Sequence, residues 1–300
     1  MPPKLDILVV GDAMVDITVK PRGSEVGGAN PSDILLKPGG LANVAVAASS
    51  EGAQTGFLGR VGNDIFGDFY EKDLSSRGVL GSLVRSRLPT GICVNFVGAG
   101  GERTMYTDLG ANRLLASKDL DQKTLESTQI VFISGFSMEC PETAREILEI
   151  ARRSREAGRK VAVGGGASNL IRERPEVFSE LVEDYCDYLI LNESEATVMT
   201  DGGTLMTALD RIRGLCDFIV VTRGPDGSIA IVDGETSFFE SPRVKAVDTT
   251  GAGDVFAGVL LTGIAGKIPL GKAMARAHLQ ASRSVTYFGP RASSGASKPE

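Results

Sequence analysis

Tryptophan is missing from this chain, histidine occurs once and cysteine four times in 300 residues, and each scarcity closes off a class of chemistry. A Ser-His-Asp triad would have to use His278, and no GxSxG elbow is present to supply its nucleophile. Histidine-ligated metal chemistry is excluded on the same count. Cys93, Cys140, Cys186 and Cys216 are scattered without a CxxC pair, so they read as reduced core or surface thiols rather than zinc ligands or a redox couple. Basic residues do not predominate either: 32 Lys and Arg stand against 38 Asp and Glu, a net charge of -6. Phosphate backbones need clustered cations, so no nucleic-acid partner is expected. No apolar run approaches the ~20 residues of a membrane span. Met1 to Val10 lacks the basic start and cleavage site of a signal peptide. A soluble, cytoplasmic protein without a membrane partner is the expectation.

What is present is a 42% apolar chain, enough for one large core with an accessory piece. Leu5 to Val10, Ile130 to Ser134, Lys160 to Val163, Tyr188 to Leu191 and Phe218 to Thr222 are nearly continuous in apolar residues, as strands buried on both faces are. Between them, Pro141 to Ala157 places Ala144, Ile147, Leu148 and Ala151 at helical spacing, and Gly158 marks the stop. Alternating strand and helix predicts an α/β fold with a mostly parallel central sheet and helices on both faces. Two regions break the rhythm. Val15 to Lys20 with Ile34 to Lys37, and Gly91 to Val97 with Glu102 to Thr107, alternate apolar and polar residues, with a hairpin turn at Gly98 to Gly101. They predict a small antiparallel β lid (13–37 and 90–112) on a core formed by 1–12, 38–89 and 113–300; a lid that closes over substrate excludes water. The Ser/Gly/Pro-rich tail from Ala292 reads as frayed.

Asp248 to Phe256, DTTGAGDVF, precedes a helix through Val255, Phe256, Val259 and Leu260 and follows a strand-like run ending near Val247. Its glycines let the amides of Gly251, Ala252 and Gly253 converge on an anion, and the helix N-terminus adds its positive dipole end. It lacks the Lys-Ser/Thr of a Walker A loop, and Phe256 stands where the dinucleotide pattern needs glycine. Asp254 sits at the edge of this anion hole. A carboxylate there repels phosphate unless it takes a proton, so it reads as a general base toward an attacking hydroxyl. The plainer reading is a helix cap.

Five motifs, in order, resemble those of the ribokinase (PfkB) family of carbohydrate kinases over almost the whole chain. DTTGAGDVF is similar to the C-terminal signature, and Pro38 to Gly67 (PGGLANVAVAASSEGAQTGFLGRVGNDIFG) to the N-terminal one. Asp16 in GDAMVD, Asn192 and Glu195 in NESE, and Thr222 to Gly227 (TRGPDG) complete the set. The resemblance implies a ribokinase-like fold and an ATP-dependent kinase acting on a hydroxyl, with magnesium as cofactor. Asp254 would be the base and Gly251 to Gly253 the anion hole. Asp16, Gly39, Gly40 and Asn43 would hold substrate, the glycines by close backbone approach and the polar pair by hydrogen bonds to adjacent hydroxyls. Thr222, Arg223, Gly224 and Gly227 would meet the nucleotide with Asn192 and Glu195, the latter orienting a magnesium-bound water. A monovalent cation, potassium, is implied at Asp248, Thr250, Ser284 and Gly289. Arg103 in the second lid hairpin is a further substrate candidate, set against a solvated strand charge; His278 either borders the adenine pocket or is a packed histidine.

Met14 departs from the pattern, standing where ribokinase-type sugar kinases tend to carry Asn, and Gly164 to Asn169 (GGGASN) replaces a stretch similar to Asp-Pro-Asn. Both leave the acceptor open. A nucleoside kinase would need a stacking surface, for which Phe96, Phe136 and Tyr106 are candidates. A binding protein that has lost catalysis would gain nothing from Asp254 beside phosphate. Ile17, Val19, Val94 and Phe96 suggest an apolar outer lid face, and the family's lids often pair, so a homodimer through the lid is expected.

Overall fold

The computed structural model describes residues 4–21, 32–97, 103–287, 289 and 291. The expected turn at Gly98 to Gly101 and the tail from Ala292 lie outside the described residues. The apolar runs become the strands of one sheet: β1 (Leu5–Val10), β4 (Thr55–Gly62), β5 (Leu80–Ser86), β8 (Thr128–Ser134), β9 (Lys160–Gly164), β10 (Tyr188–Asn192), β11 (Phe218–Thr222), β12 (Ser228–Val232) and β13 (Glu235–Phe239). Its order is β13-β12-β11-β10-β9-β8-β1-β4-β5, and every pairing is parallel except the two that attach β12 and β13 at one edge.

Successive side chains point to opposite faces, so each strand feeds two cores. Ile7, Val9, Ile130, Phe132 and Val220 face one, against α1 (Ala42–Ser50), α2 (Ile65–Ser76), α9 (Ala252–Ala265) and α10 (Leu270–Ser284). Leu8, Val10, Val131, Ile133 and Val221 face the other. That side is covered by α3 (Gln122–Glu126), α4 (Pro141–Glu156), α5 (Ser168–Glu173), α6 (Pro175–Glu180), α7 (Glu193–Met199) and α8 (Leu205–Ile212). Because β1 has β4 on one side and β8 on the other, the winding reverses there, and the carboxyl ends of the central strands border the crevice where open α/β sheets take ligands.

The lid consists of β2 (Ala13–Pro21), β3 (Ser32–Gly40), β6 (Gly91–Val97) and β7 (Arg103–Asp108), ordered β3-β2-β6-β7. Each hairpin is antiparallel, and the two join through parallel pairing of β2 with β6. Asp16 lies opposite both Lys37 and Cys93, which places these three, with Asn95 and Thr107, on one face. Val19, Val94, Phe96 and Tyr106 share the other.

One strand expectation fails. Residues 240–247 form no strand; Val244 and Val247 are exposed, and the chain crosses to the α9 loop held by Ser282, whose hydroxyl meets Ser241 Oγ and Pro242 O, and at its end, where the amides of Val247 and Asp248 donate to Val285 O. Apolar residues without a neighbouring ladder do not make a strand. Among the described residues, no helix is long and apolar enough to cross a membrane.

Candidate active site

Gly251, in the left-handed region at φ 74°, is the N-cap of α9, so a β-carbon would be strained there and no side chain caps the helix. The first-turn amides of α9 lack partners within the helix and lie at its positive end. Of the three expected donors, Ala252 N–H donates to Thr249 O at 3.3 Å. Asp254 occupies this first turn but is not the cap: its Oδ2 accepts a 3.0 Å hydrogen bond from Asn43 Nδ2 on α1. Burial pushes its carboxyl up to about 6, against the lowering effects of the Asn43 hydrogen bond and the Arg291 charge.

Asn43 is aimed by a residue that sequence reasoning missed. Arg291 Nε donates to Asn43 Oδ1 at 2.8 Å, its second nitrogen pairs with Asp73 on α2, and its third donates to Gly39 O at 3.2 Å. Tyr70 donates to the same Gly39 carbonyl at 2.7 Å, and its ring lies 5.7 Å below the guanidinium. The buried cation thus ties two residues of the N-terminal signature segment to α2, and its bond to Asn43 Oδ1 leaves the amide nitrogen toward Asp254. No local pattern announces Arg291, because Asn43 lies 248 residues away in sequence.

Gly39 and Gly40 end lid strand β3. A methyl group at Gly39 would sit 2.1 Å from Asp16 Oδ2, and one at Gly40 2.4 Å from Asp12 O at a φ of 64°. Only glycine leaves Asp16 its place over the site. Burial pushes the Asp16 carboxyl up to about 6, with Arg291 pulling it down and Asp254 and Asp248 pushing it further up. Two acids, from the 248 turn and α9, therefore act on Asp16 across the crevice. Asn112 lies beside Met14. Its side-chain amide bridges the backbone of Ala13 in both directions, at 2.9 and 3.1 Å, and lies 3.1 Å from Met14 Sδ.

At the carboxyl end of β10, Asn192 and Glu195 form a reciprocal capping box on α7: Asn192 N–H donates to Glu195 Oε2 at 2.8 Å and Glu195 N–H to Asn192 Oδ1 at 2.9 Å. Glu195 is nonetheless buried, burial raises its carboxyl above the ordinary range, and Asp254 pushes the same way. A methyl group at Gly165 would lie 2.3 Å from Glu195 Oε2, so the glycines of GGGASN make room for this carboxylate. Thr222 is paired in register with Asn192, which brings the TRGPDG turn beside the capping box. There Arg223 N–H donates to Gly227 O at 2.7 Å and Gly227 N–H to Gly224 O at 3.2 Å. His278 is the packed histidine: it is buried, its Nε2 lies 2.8 Å from Ser228 Oγ, and its ring meets Phe256 edge-on at 4.9 Å.

Asp248 accepts from Thr250 N–H at 2.8 Å and from Gly289 N–H at 2.9 Å, so three of the four residues of the expected cation site do converge. The fourth, Ser284, ends α10 with its hydroxyl donating to Ala281 O at 2.8 Å. Arg103 belongs to β7 on the Asp16 face by register, but its side chain lies outside what is described. Among the described residues, no group of three or more acidic, His or Cys side chains could hold a metal directly.

The profile of the pfkB family carbohydrate kinases matches residues 4–296. This chain belongs to that family. The deoxyribokinase of Salmonella typhi is 29% identical over 309 residues, covering 96% of this chain and 95% of its own. Among solved structures, a probable sugar kinase from Rhizobium etli superposes with a TM-score of 0.87 at 26% identity (96% and 95% covered). The adenosine kinase of Sinorhizobium meliloti superposes at 0.88 and 26% (97% and 96%). The ribokinase-like fold expected from the motifs is the one observed. Family membership makes the chain a phosphotransferase that acts on a sugar hydroxyl, and implies use of ATP.

Proposed function

We propose that this chain transfers the γ-phosphoryl group of ATP to a hydroxyl of a free sugar or sugar-like small molecule, with Asp254 as general base. The observation that carries this reading is the half-buried Asp254 carboxylate at the start of α9, held by Asn43 and raised to about 6. A base whose pKa lies near the working pH both is ionised and accepts a proton effectively. The acceptor oxygen, oriented by Asp16 and the Gly39–Gly40 backbone, loses its proton to Asp254 and bonds to the γ-phosphorus as the bond to the β-bridging oxygen breaks and ADP leaves. The first-turn amides of α9 face the charge that develops on the transferred group. Magnesium, when bound, neutralises phosphate charge, and Asn192, Glu195 and the 222–227 turn form the nucleotide side.

The lid favours a sugar over a nucleoside. Its Asp16 face offers Cys93, Asn95 and Thr107, all able to meet hydroxyls. Two of the three aromatic candidates for stacking a base, Phe96 and Tyr106, share the opposite face and pack edge-on at 6.3 Å. Phosphoryl transfer from MgATP across a panel of sugars, sugar acids and nucleosides tests the reading: sugars or sugar acids should be turned over best, and turnover of nucleosides alone would overturn it.

That outer face supports a lid-to-lid homodimer. Ile34 is 66% exposed, Tyr106 64% and Phe96 44%, an apolar surface that a two-fold axis would cover with its own copy.

A further inference from the structure

We propose that the ammonium group of Lys37, carried by lid strand β3, is the built-in cation of the loop beside the α9 anion hole, so that phosphoryl transfer here needs no monovalent metal ion. The inference rests on the kinase reading above and departs from the potassium site implied by the family resemblance. The residues of that site converge, and a lysine of this chain reaches the same junction. Asp248 gathers the amides of Thr250 and Gly289, and Val285 O takes those of Val247 and Asp248 at 2.7 and 3.1 Å. These bonds fold the 248–250 turn against the segment that follows α10. Lys37 reaches into this junction from the lid, its Nζ donating to Arg291 O at 3.3 Å. A methyl group at Gly289 would lie 3.2 Å from that Nζ and 3.0 Å from Lys37 Cδ, so the side chain rests directly on the glycine whose amide Asp248 holds.

The charges agree with this placement. The Asp248 carboxylate acts favourably on the Lys37 ammonium, with Arg77 acting the other way. An ammonium and a potassium ion carry the same charge and take the same kind of ligand, carbonyl and carboxylate oxygen. A second monovalent cation within about 4 Å of the first would lose roughly a thousandfold in affinity at an effective dielectric of about 20. Lys37 also donates to the carbonyl of Arg291, the residue that aims Asn43 at Asp254. Loss of its charge therefore reaches the base as well as the loop.

The test compares KCl with choline chloride at equal ionic strength, on the whole chain, with two readouts: turnover with MgATP and the best acceptor, and thermal unfolding followed by circular dichroism. Wild type should give the same turnover and the same Tm in both salts. Lys37→Met should lose about tenfold or more in turnover in choline chloride, regain it in KCl, and acquire a Tm that KCl raises and choline does not. A wild-type turnover or Tm that rises saturably with KCl overturns the proposal, and so does a folded Lys37→Met chain equally active in both salts. If Lys37→Met does not fold, the wild-type comparison decides. A chain inactive toward every acceptor would sink the kinase reading, while the Tm comparison still decides the role of Lys37.

Discussion

Replacing Asp254 by Asn should stabilise the fold while disabling the enzyme, because the native structure withdraws this carboxylate from most of its water. Its pKa rises from 3.8 to about 6 with burial as the main cause. At about 1.4 kcal/mol per pH unit, that rise corresponds to about 3 kcal/mol of stability forgone once the group is ionised. The sign follows from proton binding: the folded chain holds the proton more tightly than the unfolded one. This contribution is complete below about pH 4 and is lost as pH rises through about 6. An Asn side chain keeps an oxygen for the Asn43 amide and carries no charge. Urea unfolding of Asp254→Asn should therefore show a gain of about 3 kcal/mol at pH 8, shrinking toward zero near pH 4. A variant less stable than wild type at pH 8, or a gain that does not change with pH, would refute the burial of this charge.

Asp16→Asn should raise KM for the acceptor by about ten- to a hundredfold with ATP affinity little changed, measured by initial rates and calorimetry; a collapse of ATP affinity instead would misplace Asp16. Arg291→Met removes one of the two cations on Asp73, leaving Arg77, and frees Asn43 to turn. It should cost about 3 kcal/mol or more in unfolding free energy and lower kcat, and Arg291→Lys, which cannot keep all three bonds, should restore stability better than kcat. Turnover should fall as pH drops through about 6, the value for Asp254, in a pH–rate profile of kcat/KM. Light scattering should find a dimer that Val94→Asp or Val19→Asp splits; a wild-type monomer would remove the lid from the interface.

The central strands were legible because burial on both faces demands unbroken apolar runs, and all five expected strands fall on β1, β8, β9, β10 and β11. The strand expected before Asp248 was not, since apolar content there reflects no pairing partner. Asn192 and Glu195 show in sequence as an N-cap with its acid three residues on, but only the fold reveals that this acid is buried and pressed toward Asp254. Arg291 and Lys37 were unreadable for the same reason. Each acts through partners more than two hundred residues away, Asn43 for the first and Arg291 O for the second. Long-range polar contacts leave no periodicity. The parity of the lid strands did carry information: once register fixes Asp16 inward, Phe96 and Tyr106 must face out.

The role of Asp254 is tested most directly by assaying Asp254→Asn and wild type side by side for single-turnover phosphoryl transfer and for MgATP binding by calorimetry. The account predicts a transfer rate lower by about two to four orders of magnitude with MgATP affinity essentially unchanged. Transfer at a near-normal rate by the folded variant would contradict it.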